Sequence, residues 1–97
     1  MSPGSLEALS AAVAALHGCD CSFVSTAHVH EMMDGRTVWQ GSVETFALRG
    51  HKLASRAFAW AWRDDAGETH YIAVLAVPPV NSPREAVQAA IASGNAG

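Results

Sequence analysis

The chain has 97 residues, a formal charge of −3 at pH 7, 49% hydrophobic residues and 15% charged residues. This length fits one domain, residues 1–97, that buries roughly 65% of its unfolded surface. Six Lys and Arg against nine Asp and Glu leave no basic patch for a phosphate backbone or an anionic bilayer, so nucleic acid and membranes are excluded as expected partners. The apolar composition predicts a folded chain that covers some of its surface with a partner.

The N-terminal residues and the cysteines bear on the cellular compartment in which the protein is expected. The first residues, Met-Ser-Pro-Gly, lack the basic segment and apolar run of a signal peptide. No apolar stretch approaches the roughly 20 residues that span a bilayer, so a cytoplasmic location is expected. Cys19 and Cys21 are one residue apart, a spacing at which a disulfide is strained, and both are predicted to be free thiols.

A helix is predicted near each end of the chain. Apolar residues three and four apart predict the first helix over residues 6–17: Leu6, Leu9, Val13 and Leu16. Ser5 is placed to cap its start and Gly18 to end it. The segment 82–85, Ser-Pro-Arg-Glu, is a capping box that starts a second helix, which Gly94 ends. The tail after Gly94 is expected to fray.

Four strands are predicted between the helices. Period-two alternation and β-branched residues place them at residues 21–33, 36–48, 56–63 and 69–77. Asp-Gly at residues 34–35 is a strong hairpin signal, and residues 49–51 and 64–67 predict two further turns. Pro78 and Pro79 end the fourth strand.

The short links between strands predict an α+β fold with the order α-β-β-β-β-α. Sequential neighbours pair in a four-stranded antiparallel meander sheet. We expect both helices on one face, because small side chains leave room for two close-packed helices there: Ala57, Ala59 and Ala61. The other face then displays candidate ligand-binding or interface residues: Gln40, Glu44, Phe58, Trp60 and Trp62.

Three large aromatic residues on an uncovered sheet face predict self-association. An open antiparallel face normally carries polar residues, so we expect Phe58, Trp60 and Trp62 to meet their copies in a homodimer. If the protein has a ligand, we expect its pocket at that interface. The alternative is a module that binds a small apolar or aromatic molecule between the same rings.

His28 and His30 are candidate metal ligands. Residues two apart on a strand point to one side, and two imidazoles there suit Zn²⁺ or Fe²⁺. A metal-dependent enzyme is therefore a further alternative. The competing interpretation is two polar residues on an outward strand face. His17, Cys19 and Cys21 form a weaker set of soft ligands, because zinc sites usually space cysteines more widely.

Other catalytic signals are missing from the sequence. It contains no Ser-centred elbow, Gly-rich phosphate loop or paired catalytic carboxylates. Neither an enzymatic activity nor a cofactor is predicted.

One stretch carries a resemblance. The segments 38–44 (Val-Trp-Gln-Gly-Ser-Val-Glu), 50–51 (Gly-His), 57–60 (Ala-Phe-Ala-Trp) and 74–80 (Val-Leu-Ala-Val-Pro-Pro-Val) are similar to small bacterial proteins with no assigned activity. The resemblance covers roughly residues 24–92. It implies a bacterial source and no catalytic residues.

Overall fold

A computed structural model describes residues 5–94 of the chain. It contains the elements α1 (Leu6–His17), β1 (Asp20–Met33), β2 (Arg36–Arg49), β3 (Arg56–Arg63), β4 (Thr69–Leu75) and α2 (Pro83–Ala92). The strands form one antiparallel sheet in the order β1-β2-β3-β4. The α+β class, the element order and the meander are confirmed. The expectations for the first four residues and for the tail 95–97 lie outside the described residues.

Both helices begin at the residues that their capping signals predict. Ser5 Oγ accepts a hydrogen bond from Ala8 N at 3.3 Å, and Gly18 ends α1 in the left-handed region at φ 63°. Ser82 Oγ accepts from Glu85 N at 3.2 Å, and Glu85 Oε1 accepts from Asn81 N at 3.0 Å. The capping box at α2 is therefore formed.

Strand pairing is uneven along the sheet. β1 and β2 pair from Asp20–Arg49 to Met33–Arg36, whereas β3 pairs with β2 only over residues 44–47. The β1–β2 hairpin therefore extends well beyond β3. β4 ends at Leu75, two residues earlier than expected, because Val77 N donates to Leu75 O at 2.9 Å and turns the chain away.

The two helices pack on opposite faces of the sheet, which corrects the expectation that they share one face. Leu9 and Val13 of α1 pack on the face that carries Phe46, Ala57 and Ala59. Val87 and its neighbours on α2 pack on the face that carries Val29, Val43, Phe58 and Trp60. Neighbouring residues of β3 point to opposite faces, and both of its faces are apolar, so each requires a cover.

The aromatic residues of β3 do not form a surface. Phe58 is 4% exposed and Trp60 is 2% exposed, both beneath α2. Trp62 is half-buried. The indole of Trp60 meets that of Trp39 edge to face, with ring centroids 5.5 Å apart. The expected dimer interface through these rings is therefore wrong, because α2 already covers their face.

Among the described residues, no helix combines the length and the apolar character that crossing a membrane requires.

Candidate functional site: the projecting hairpin and its free edge

The β1–β2 hairpin brings the polar candidate residues together. His28 is opposite Ser42, and His30 is opposite Gln40, on the face of the hairpin that points away from Trp39. The amide of Gln40 donates to His28 Nε2 at 3.4 Å. His28, His30 and Gln40 are exposed. These residues form a solvated polar face, and the aromatic candidates of β3 lie on the other side of the sheet.

Two further contacts extend this polar face. The hydroxyl of Thr26 donates to Glu44 Oε2, and His30 Nε2 lies 2.7 Å from Thr37 Oγ1. The sequence therefore placed Gln40 and Glu44 correctly on one face of β2, but not on the face of the tryptophans. Their side chains bond within the hairpin.

His28 and His30 gain no third metal ligand. Within residues 5–94, three His, Cys, Asp or Glu side chains approach one another closely enough for a metal only at Asp64, Glu68 and His70. The sequence analysis did not predict this cluster of three side chains, which flanks the turn between β3 and β4. The only sequence signal for it is the spacing of an Asp, a Glu and a His around Gly67.

The contacts of Asp64 show that this group holds the turn together. Its Oδ1 accepts from the backbone N–H groups of Ala66 and Glu68, both at 2.9 Å. Its Oδ2 lies 2.7 Å from His70 Nε2. The hydrogen bond from His70, followed by the one from the Glu68 backbone, lowers the pKa of Asp64. The ring of His70 also stacks on Trp62, with ring centroids 4.5 Å apart, so both side chains of the pair contribute to the structure of the turn.

Side chains from both helices cap the two outer edges of the sheet. On β1, Arg84 donates to His30 O at 3.2 Å and pairs with Glu31 at 2.9 Å. On β4, His17 Nε2 donates to Ala73 O at 3.3 Å, since a carbonyl can only accept. Register also shifts within β1 between Phe23 and Ser25. A bulge and edge-capping side chains both hinder the addition of another strand.

The inner edge of β2 has no such cap among the described residues. Backbone groups of a strand point alternately to its two edges, and two residues opposite each other in an antiparallel pair direct these groups either both toward each other or both away from each other. Because His30 O points outward to Arg84, its partner Gln40 directs its own N–H and C=O away from β1. The same alternation applies to Ser42. β3 does not pair with β2 beyond Glu44, and the register shift between Glu31 and Met32 leaves Val38 as an extra, bulged residue of β2. The outward backbone groups of Gln40 and Ser42 therefore form a short free edge, which the bulge at Val38 ends on one side.

The two cysteines are free thiols, as predicted. The Sγ of Cys21 donates to Ser10 O at 3.3 Å, which ties β1 to α1. Cys19 lines a cavity of about 440 Å³ with His17 and His51, between the end of α1 and the connection from β2 to β3. His17, Cys19 and Cys21 do not meet as a ligand set in the described chain.

Comparison of the chain with protein-family models, with curated proteins and with solved structures found no match.

Proposed function

We propose that the protein is a self-association module that forms a homodimer by antiparallel pairing of β2 with β2 of a second copy. The observation that carries this proposal is the free edge of β2 at Gln40 and Ser42. Gln40 and Ser42 direct backbone donors and acceptors to that edge. An unpaired strand edge is a template for another strand, and the helices cap only the other two edges.

The length of the free edge favours one register. A second strand cannot run past Glu44, where β3 begins to pair with β2. A two-fold axis at Gln40 places Gln40 opposite its own copy and Trp39 of each copy opposite Gly41 of the other, which fits between Glu44 and the bulge at Val38. It also brings the two Gln40 amides together on the polar face, where each offers a donor and an acceptor. The same surface then meets itself, as a two-fold dimer requires.

The dimer is expected to be weak. A backbone hydrogen bond contributes about 1 kcal/mol net, whereas association costs at least about 4 kcal/mol in lost freedom of motion. Val38, which is 45% exposed, adds apolar area beside the edge. After that cost, a few hydrogen bonds and this contact leave only a few kcal/mol, so the dimer should form as the concentration approaches the millimolar range.

Size-exclusion chromatography with light scattering over a concentration series tests the proposal. The mass should rise from 10.1 kDa toward twice that value. Gln40→Pro removes a donor that points to the free edge but not to β1, so the variant should fold and remain monomeric. His28→Pro is the matched control, because its N–H points to the outer edge of β1, and its dimerisation should be unchanged.

Cross-linking tests the register. In a Cys19→Ser, Cys21→Ser background, Gln40→Cys should give an oxidised dimer, because residues opposite each other across a strand pair are about 5.5 Å apart. His30→Cys, placed on β1 opposite Gln40, should not. A wild-type monomer at every concentration, or equal cross-linking of both variants, would refute the proposed dimer.

The other two functions now have less support. A site for an apolar ligand between Phe58, Trp60 and Trp62 would require α2 to move away from the two buried rings. A metal centre at His28 and His30 would need a further ligand from outside the described residues, or water. Metal content of protein purified without a tag tests the second possibility directly.

A further inference from the structure

The connection between β2 and β3 is closed by a histidine. His51 Nδ1 lies 3.0 Å from Leu53 N and 3.3 Å from Ala54 N. One ring nitrogen therefore accepts hydrogen bonds from two backbone N–H groups of the turn that follows it. No other side chain in the described connection, residues 50–55, bonds to these two amides.

These contacts determine the protonation of the ring. A backbone N–H can only donate, so Nδ1 must accept with its lone pair, and the proton of the neutral imidazole lies on Nε2. A second proton can bind only at Nδ1. It would place an N–H against two N–H donors, and the turn would have to open. Protonation of His51 and closure of the turn are therefore mutually exclusive.

The surroundings do not compensate a charge on His51. The ring of His17 meets it edge to face at 5.9 Å, and Lys52 and Cys19 line the same cavity of about 440 Å³. The described lining of this cavity contains no carboxylate. His17 differs from His51 because its Nε2 donates to Ala73 O, a bond that survives protonation of the other nitrogen.

We propose that His51 is a pH-operated latch, which holds the 51–54 turn closed while the ring is neutral and releases it when the ring is protonated. Imidazole changes charge between about pH 5 and 8. A proton on Nδ1 turns the acceptor of both bonds into a donor, so the open turn is the form that accommodates the protonated ring. Opening moves one wall of the cavity beside Cys19.

NMR hydrogen exchange tests the latch in the wild-type chain. At pH 7.5, long-range ¹H–¹⁵N spectra should show His51 with its proton on Nε2, and the amides of Leu53 and Ala54 should be protected. After correction for intrinsic exchange rates, their protection should fall at least tenfold at pH 5.0. Val43, in the core of the sheet, serves as the internal control and should keep its protection.

Two substitutions separate the latch from general acid sensitivity. In His51→Asn the side-chain oxygen replaces Nδ1 as acceptor and does not titrate, so both amides should stay protected at both pH values. In His51→Ala they should be unprotected at both. The proposal is overturned if wild-type protection is independent of pH, if His51→Asn shows the wild-type loss, or if the neutral ring carries its proton on Nδ1.

Discussion

Trp60 was expected on an uncovered sheet face, but it is buried beneath α2. Trp60→Ala tests this burial directly. The indole is 2% exposed and lies between the sheet and α2. A tryptophan buries about 150–250 Å², which at roughly 25 cal/mol/Å² is worth about 4–6 kcal/mol of transfer free energy. Large-to-small changes of buried aromatic residues cost about 3–5 kcal/mol in practice. We expect a loss in that range, a large part of the stability of a small domain.

Urea unfolding followed by far-ultraviolet circular dichroism measures this loss without relying on tryptophan fluorescence. Trp62→Ala is the matched control, because Trp62 is half-buried and its main described ring contact is the stack on His70. That stack is worth about 0.5–1.5 kcal/mol, so the control should lose much less. A loss below about 1 kcal/mol for Trp60→Ala, or equal losses for both variants, would show that α2 does not cover Trp60.

Three further predictions concern local contacts. Ser82→Ala should lower the free energy of unfolding by about 1 kcal/mol, because the N–H of Glu85 loses its acceptor; a change below about 0.3 kcal/mol in urea melts would contradict the cap. Gly35→Val should cost more than Gly35→Asn, since φ is 76° there and β-branched residues resist that region; equal losses would argue against this turn. In an NMR titration, His70→Ala should raise the pKa of Asp64, and an unchanged pKa would exclude His70 as the cause. Because the folded-state pKa is lowered, the stability that this carboxylate contributes is present above the pKa of an unfolded aspartate and is lost as the pH falls through the folded-state value.

The sequence by itself determined the local structure. Ser5 and Ser82 predicted where the helices begin, and the Asp-Gly pair at residues 34–35 predicted the first hairpin. These features depend on contacts between residues a few positions apart, so their chemistry can be read along the chain. The short links then determined the strand order, because neighbouring antiparallel strands need no long crossover.

Only the tertiary structure decided which helix covers which face. β3 alternates alanines with Phe58 and Trp60, a pattern that identifies two faces but assigns no helix to either. In the fold, α1 approaches the alanine face and α2 covers the rings. The free edge of β2 was likewise invisible in the sequence, because it depends on how far β3 follows β2 before the strands separate. Sequence patterns record how polar each position is, whereas the distances between elements remote in the chain decide which polar and apolar surfaces remain uncovered.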